Sequence, residues 1–160
     1  MSAVNELIQH DRVHDLGPLP APRLAPGATV HQALQFLVRG RRGAIVIVDG
    51  TKPVGIFTER DVIDKLPTGL FTSRERKRTP LREVMSQPPV TVRRQATLQE
   101  AIDLMARGGY RHLVVVDGQG NLRGLLTSND LVQFLTDQFP EETKNLPPRL
   151  SQQFKSPGGA

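Results

Sequence analysis

Two stretches carry residues whose types and spacing suit chemistry. Gly55-Ile56-Phe57-Thr58-Glu59-Arg60-Asp61 and Gly124-Leu125-Leu126-Thr127-Ser128-Asn129-Asp130 both read Gly-h-h-Thr-x-x-Asp, with h apolar. A carboxylate can accept two hydrogen bonds from a vicinal diol, and a threonine hydroxyl at a helix start is a rotatable donor. The helix start itself presents unpaired N–H groups and the positive end of a dipole, a suitable seat for a phosphate. Arg60, beside Asp61, adds a planar charged fork for phosphate oxygens. The same spacing also fits a structural capping box, in which Thr caps the helix and Asp sits in its first turn. Both readings stand open on the motif alone.

The elements that must position these residues come from a duplication. Ala28–Asp49 aligns without a gap on Ala96–Asp117 at an offset of 68 residues, with eight identities in 22 positions. One extra residue in the following turn raises the offset to 69, which brings Gly55–Ile63 onto Gly124–Val132. In each copy Thr29-x-x-Gln32 or Thr97-x-x-Glu100 opens an amphipathic helix, and Gly40 or Gly108 is expected to stop it. The short β-branched runs Ala44–Val48 and Leu113–Val116 predict buried strands. Asp49-Gly50 and Asp117-Gly118 predict hairpins, Val54–Phe57 and Leu122–Leu126 the return strands, and Glu59 to about Leu66 and Ser128 to about Thr136 the second helices. The predicted class is α+β: a β-α-β-β-α unit twice, the copies packed through their small sheets about a pseudo-two-fold axis.

Along the chain, residues 1–12 form an N-terminal extension, with a helix expected within Val4–Leu16. The first copy covers 13–66, an exposed basic linker 67–80, the second copy 81–137, and a Pro- and Gly-containing tail 138–160, disordered at its end. The duplicated unit, the Val-Val-Asp-Gly turn and the Gly-h-h-Thr-x-x-Asp motif resemble the CBS domain, over about Val13 to Asp137. The resemblance implies a regulatory module that holds an adenosine-containing ligand, an adenine nucleotide such as AMP, ADP or ATP, in clefts between two copies. It places Asp61 and Asp130 on the ribose, Thr58 and Thr127 on ribose or phosphate, Arg111 and His112 on phosphate with Arg60, and Arg41 and Arg42 in the analogous loop as additional phosphate contacts. It also implies a flat homodimer and regulation in trans of a separate effector protein, with no cofactor required. Against the family pattern, the opening strand of the first copy reads Pro18-Leu19-Pro20-Ala21-Pro22-Arg23-Leu24. Its prolines remove backbone donors, so unequal clefts are expected.

Other signals are weaker. The chain has 21 basic and 16 acidic residues and no cysteine, which excludes disulfides and cysteine-based metal or redox chemistry. No apolar run is long enough for a membrane span and no signal-peptide core is present, so a cytoplasmic protein is expected. His10, His14, His31 and His112 lack metal-ligand spacing, and no metal site is read from them. Gly118-x-Gly120-x-x-x-Gly124 has the wrong spacing and place for a dinucleotide loop. Without a nucleophile motif or a Walker loop, no enzyme is expected. Arg74, Arg76, Lys77, Arg78 and Arg82 against Glu75 concentrate the basic charge, so nucleic-acid contact is one alternative, weakened by the lack of stacking aromatics near Phe71. The other is a purely structural dimerisation module with empty clefts.

Overall fold

A computed structural model describes residues 2–65 and 72–139 of the 160. It contains the duplicated unit, with two mixed sheets of three strands each. In the first, β1 (Arg23–Leu24) runs parallel to β2 (Ala44–Asp49), which pairs antiparallel with β3 (Lys52–Thr58). In the second, β4 (Thr91–Arg93), β5 (His112–Val116) and β6 (Leu122–Thr127) repeat that order. Even the break in register repeats, between Ile47 and Val48 and between Val115 and Val116.

The long helices, α2 (Val30–Arg39) and α5 (Leu98–Gly108), start on reciprocal capping boxes. Thr29 Oγ1 accepts from Gln32 N at 3.2 Å while Gln32 Oε1 accepts from Thr29 N at 2.9 Å; Thr97 and Glu100 repeat the exchange, both bonds at 3.1 Å. The expected stop at Gly40 is observed, and the one expected at Gly108 is displaced by a residue. Gly40 ends α2 in an extended conformation, whereas α5 runs through Gly108 and its left-handed cap is Gly109, at φ 65°. The second helices, α3 (Glu59–Lys65) and α6 (Ser128–Gln138), follow β3 and β6 without a loop.

Among the described flanking residues, two further helices form. The expected N-terminal helix is α1 (Ala3–His10), after which the chain extends at Asp11 and makes a separate 3-10 turn over Val13–Leu16, because the Asp15 carboxylate takes the Arg12 N–H at 2.8 Å. Within the basic linker a short helix, α4 (Ser73–Arg78), is capped by Thr72 and contacts α2, its acidic residue in the first turn and its basic ones in the last, as the helix dipole favours. The tail beyond Phe139 lies outside the described residues, as does the end of the first copy at Leu66.

Burial alternates along the central strands. Ile45 and Ile47 face a core with Val30 and Ala33 of α2, and Leu113 and Val115 face one with Leu98, Ala101 and Met105 of α5. The residues between them, Ala44, Val46, Val48, Val114 and Val116, meet across the pseudo-two-fold axis in a third core completed by Leu122 and Leu125. The copies are therefore joined sheet to sheet.

They are also joined by exchange. Val13 and Leu16, which open the first copy, pack in the core of the second; Leu81, Val84 and Met85, which open the second, pack in the core of the first. Three backbone bonds hold each crossing at equivalent positions. Val13 N, His14 N and Leu98 N donate to Ala96 O, Arg94 O and Asp11 O at 2.9, 3.0 and 2.9 Å, and Leu81 N, Arg82 N and Val30 N donate to Ala28 O, Pro26 O and Thr79 O at 2.8, 3.0 and 3.0 Å. Each opening segment then crosses the other copy's return strand. Ser86 and Ile56 exchange two bonds there, at 2.9 and 3.0 Å, whereas the Pro18-Leu19-Pro20 segment makes one, Leu125 N to Leu19 O at 3.2 Å.

At these crossings the backbones approach over Gly55 and Gly124. A Cβ at Gly124 would lie 2.7 Å from Leu19 O, a backbone atom, while one at Gly55 would meet first the flexible Met85 side chain. Gly124→Ala is expected to destabilise the protein by about 1–3 kcal/mol, and Gly55→Ala by less because the thioether can shift. Urea unfolding of the two variants checks the order; equal, unchanged midpoints would remove the close approach as a constraint.

Candidate functional site

The two Thr-x-x-Asp motifs start α3 and α6, and in both the capping interaction is formed. Thr58 N donates to Asp61 Oδ2 at 2.9 Å and Asp61 N to Thr58 Oγ1 at 3.2 Å; Thr127 N donates to Asp130 Oδ2 at 2.8 Å and Asp130 N to Thr127 Oγ1 at 3.1 Å. The first helical N–H is also taken in each, by a carbonyl of the loop before the central strand: Glu59 N to Gly43 O and Ser128 N to Arg111 O, at 3.1 and 3.0 Å. Capping thus uses one carboxylate oxygen, and the fate of the other distinguishes the copies.

Asp61 is buried within its own surroundings. Its Oδ1 accepts from Ser86 Oγ at 2.9 Å and from Lys65 Nζ at 3.3 Å, and Thr58 Oγ1 adds a bond to Oδ2 at 3.1 Å. Ser86 belongs to the crossing segment of the second copy, so the bond ties the copies together. Ser86 does not stand out in the sequence, because its partner is set by the crossing, whereas Lys65 pairs with Asp61 one turn away along α3.

Asp130 is held by the opposite copy. Arg42 makes a two-pronged ion pair with it, Nη1 to Oδ1 at 2.7 Å and Nη2 to Oδ2 at 2.9 Å. The same guanidinium donates through Nε to Pro20 O at 3.1 Å and through Nη2 to Leu125 O. Both side chains retain only 19 % of their exposure. The pair and the Thr127 N–H hold the Asp130 carboxyl below the ordinary carboxylate value of 3.8, against the opposing effect of burial, which is the largest single influence.

On the Arg42 side of this pair lies a cleft of about 250 Å³ at the pseudo-two-fold axis, lined by Arg41, Arg42, Arg111 and His112 with Glu59, Thr127, Ser128 and Asn129 among others, Asp130 itself standing outside the lining and meeting it through Arg42. The structure thus brings together Arg41, Arg42, Arg111, His112, Thr127 and Asp130. Arg60 is elsewhere: it is exposed and pairs along its own helix with Asp64 at 3.2 Å. Glu59, Ser128 and Asn129 were not singled out by sequence reasoning, although each follows a motif threonine on a helix start. Gly43, at φ 72°, turns the Arg41-Arg42 loop so that the Arg42 carbonyl accepts from His112 Nε2 at 3.0 Å. Desolvation by burial is the main cause that pushes His112 below its ordinary 6.5, with the nearby Arg42 charge adding to it against the hydrogen bond. A wider, shallow groove of about 660 Å³ beside β4 and α5 contains none of the motif residues. Among the described residues no three His, Cys, Asp or Glu side chains converge as a metal site would need, and no helix is long and apolar enough to cross a membrane.

A duplicated α+β unit, closed by exchange of its opening segments and carrying a basic cleft between helix starts on its pseudo-two-fold axis, defines a tandem-repeat module by its architecture. The sequence profile of the CBS domain matches residues 13–68 and again 81–137, and the chain belongs to the CBS domain family as a tandem pair. It is 34 % identical over 131 residues to an uncharacterized protein of Methanopyrus kandleri, a match covering 78 % of this chain and 65 % of the relative, so the chain spans slightly less than two-thirds of that relative's length. Among solved structures, it is similar to a CBS domain protein from Pyrobaculum aerophilum complexed with AMP, at 27 % identity and a TM-score of 0.67, covering 76 % of this chain and 90 % of that one. It is also similar to the cytosolic domain of the Mg2+ channel MgtE in complex with ATP, at 28 % identity and a TM-score of 0.57, covering 71 % and 44 %.

The lowered His112 value has a consequence with a definite sign. The folded protein binds fewer protons at His112 than the unfolded chain, so stability is constant above 6.5 from this group and falls as pH drops through and below 6.5. Asp130, lowered from 3.8, contributes its stability above that value and loses it as pH falls further. Urea midpoints measured against pH are expected to show a first decline beginning near 6.5 that is flattened in His112→Gln, whose amide can still donate to Arg42 O, and a second below 3.8 reduced in Asp130→Asn.

Proposed function

We propose that this chain is a regulatory module that senses an adenine nucleotide, AMP, ADP or ATP, in the cleft at Asp130 and signals to a separate effector protein. The carrying observation is the convergence of Arg41, Arg42, Arg111 and His112 on the helix start that holds Thr127 and Asp130. Asp130 supplies the carboxylate for ribose hydroxyls, and the cationic loops with the α6 N-terminus supply the phosphate seat. The AMP and ATP complexes of the two similar structures support an adenosine-containing ligand. Asp61 is the weaker candidate, since it is buried and its carboxylate is tied to the crossing segment through Ser86 as well as to Lys65 and Thr58. A nucleotide between the copies acts by binding one arrangement of them better than another. Neither a catalytic step nor a resident cofactor enters this reading, and a cytoplasmic setting is part of it.

Calorimetry with AMP, ADP and ATP on the purified chain tests the proposal. Saturable binding is expected, weakened by about tenfold or more in Asp130→Ala and much less in Asp61→Ala. Absence of heat and of any thermal shift with all three nucleotides would leave the structural-module reading in its place.

The same reading includes a homodimer, favoured by one observation. Phe36 on α2 and Leu104 on α5, and Ile63 on α3 and Val132 on α6, are equivalent under the duplication, and all four are exposed, Ile63 and Val132 by 60 % or more. An apolar face repeated about a pseudo-two-fold axis is self-complementary, as an isologous interface requires. Sedimentation velocity is expected to show a dimer that Ile63→Asp combined with Val132→Asp converts to monomer; a wild-type monomer at tens of micromolar would refute the assignment.

A further inference from the structure

We infer that Arg42 is a specificity-determining residue that makes the site at Asp130 select nucleotides carrying a phosphate over uncharged adenosine derivatives; this rests on the nucleotide-binding reading above. Arg42 occupies the place such a ligand needs. Its guanidinium covers Asp130 with two bonds and reaches Pro20 O and Leu125 O, the backbone on either side of the carboxylate. A ribose can reach Asp130 only when Arg42 withdraws.

Withdrawal strips a largely buried guanidinium of its counter-ion. A charge left so is costly unless a new partner arrives with good geometry. The cleft offers little: Arg41 and Arg111 line it with Arg42, and Glu59 is the acidic residue among its lining. A ligand that exchanges its diol for Arg42 on Asp130 therefore has to bring its own anion. A 5′-phosphate does so at a fixed reach from the diol, and the planar fork that gripped the carboxylate can grip phosphate in the same two-pronged way. Adenosine and 5′-methylthioadenosine bring no charge to replace the Asp130 carboxylate. At Asp61 the arrangement differs, since Tyr110 stands at the position equivalent to Arg42 and the carboxylate is held by Ser86 and Lys65.

The test is a matrix of full-length wild type, Arg42→Met and Arg42→Lys against AMP, adenosine and 5′-methylthioadenosine, measured by calorimetry. Arg42→Met keeps an unbranched stem without charge, and Arg42→Lys keeps the charge without the fork. Wild type is expected to prefer AMP over adenosine by about 100-fold. In Arg42→Met, adenosine is expected to bind about tenfold or more tighter than to wild type, because Asp130 is uncovered, while AMP weakens, so that the preference shrinks from both sides. Arg42→Lys is expected to fall between. If wild type binds AMP but Arg42→Met lowers both affinities equally, or wild type binds adenosine as well as AMP, the selection role is overturned while the nucleotide site stands. If no protein in the matrix binds any of the three, the underlying site reading fails with it. Circular dichroism of each variant separates lost selectivity from lost fold, and if Arg42→Met does not fold, Arg42→Lys carries the comparison: an AMP preference equal to wild type there overturns the role of the two-pronged grip.

Discussion

Strands β2 and β5 are apolar on both faces, and the molecule is organised around satisfying them. Ile45 and Ile47 find α2 on one side, and Val46 and Val48 find the other copy's Val114 and Val116 on the other. Each side chain fully removed from water contributes about 1.5–3 kcal/mol, so a single copy with one strand face bare would forgo several such contributions. With a helix layer on only one side of each sheet, the second copy is the missing layer. Duplication is then a packing requirement, and the pseudo-two-fold axis its geometric result.

The same axis sets where binding can occur. Loops leading into β2 and β5 and the starts of α3 and α6 all lie at its mouth, which is why residues from 41–43 and from 111–112 share one cleft with 127–129. Identical architecture nevertheless carries unequal chemistry. Position 42 is arginine where its counterpart, 110, is tyrosine, and position 86 is a serine that reaches Asp61 where the opposite crossing has prolines. The prolines do not disrupt the first copy's opening; they leave its carbonyls without reciprocal donors, and Pro20 O becomes an acceptor for Arg42. The proline-rich opening from which unequal clefts are expected supplies an acceptor that helps hold Arg42 over Asp130.

What was legible in the sequence is what local rules write. Thr29 with Gln32 and Thr97 with Glu100 announce helix starts because the bonds span three residues, and the 68-residue offset announces the duplication because both copies still obey the same packing. The helix end at Gly109 was displaced by one because either of two adjacent glycines can take the left-handed cap. The helix inside the basic stretch was hidden because six residues give too short a period to read against the charge. The ion pair between Arg42 and Asp130, 88 residues apart, and the bond between Ser86 and Asp61 were illegible for a different reason. Each depends on where a crossing segment or a loop lands after the copies pack, and no local pattern encodes that. The chemistry of both aspartates could be named from their motif, but their partners could not.

The crossing of the opening segments bears on how the chain can fold while it is being made. Val13 and Leu16 emerge first, yet their burial awaits Leu113 and Leu126, and the core of the first copy is incomplete until Leu81 and Val84 have appeared. A nascent chain ending near residue 80 therefore exposes Ile45, Ile47 and Phe57 without the residues that seal them. Domains commonly fold in order from the ribosome; here the shared core of Val46, Val48, Val114 and Val116 can close only after the second repeat has been made. Until then the half-made chain shows sticky strands to its surroundings, which places its demand for chaperone protection in the interval between translation of the first and second repeats.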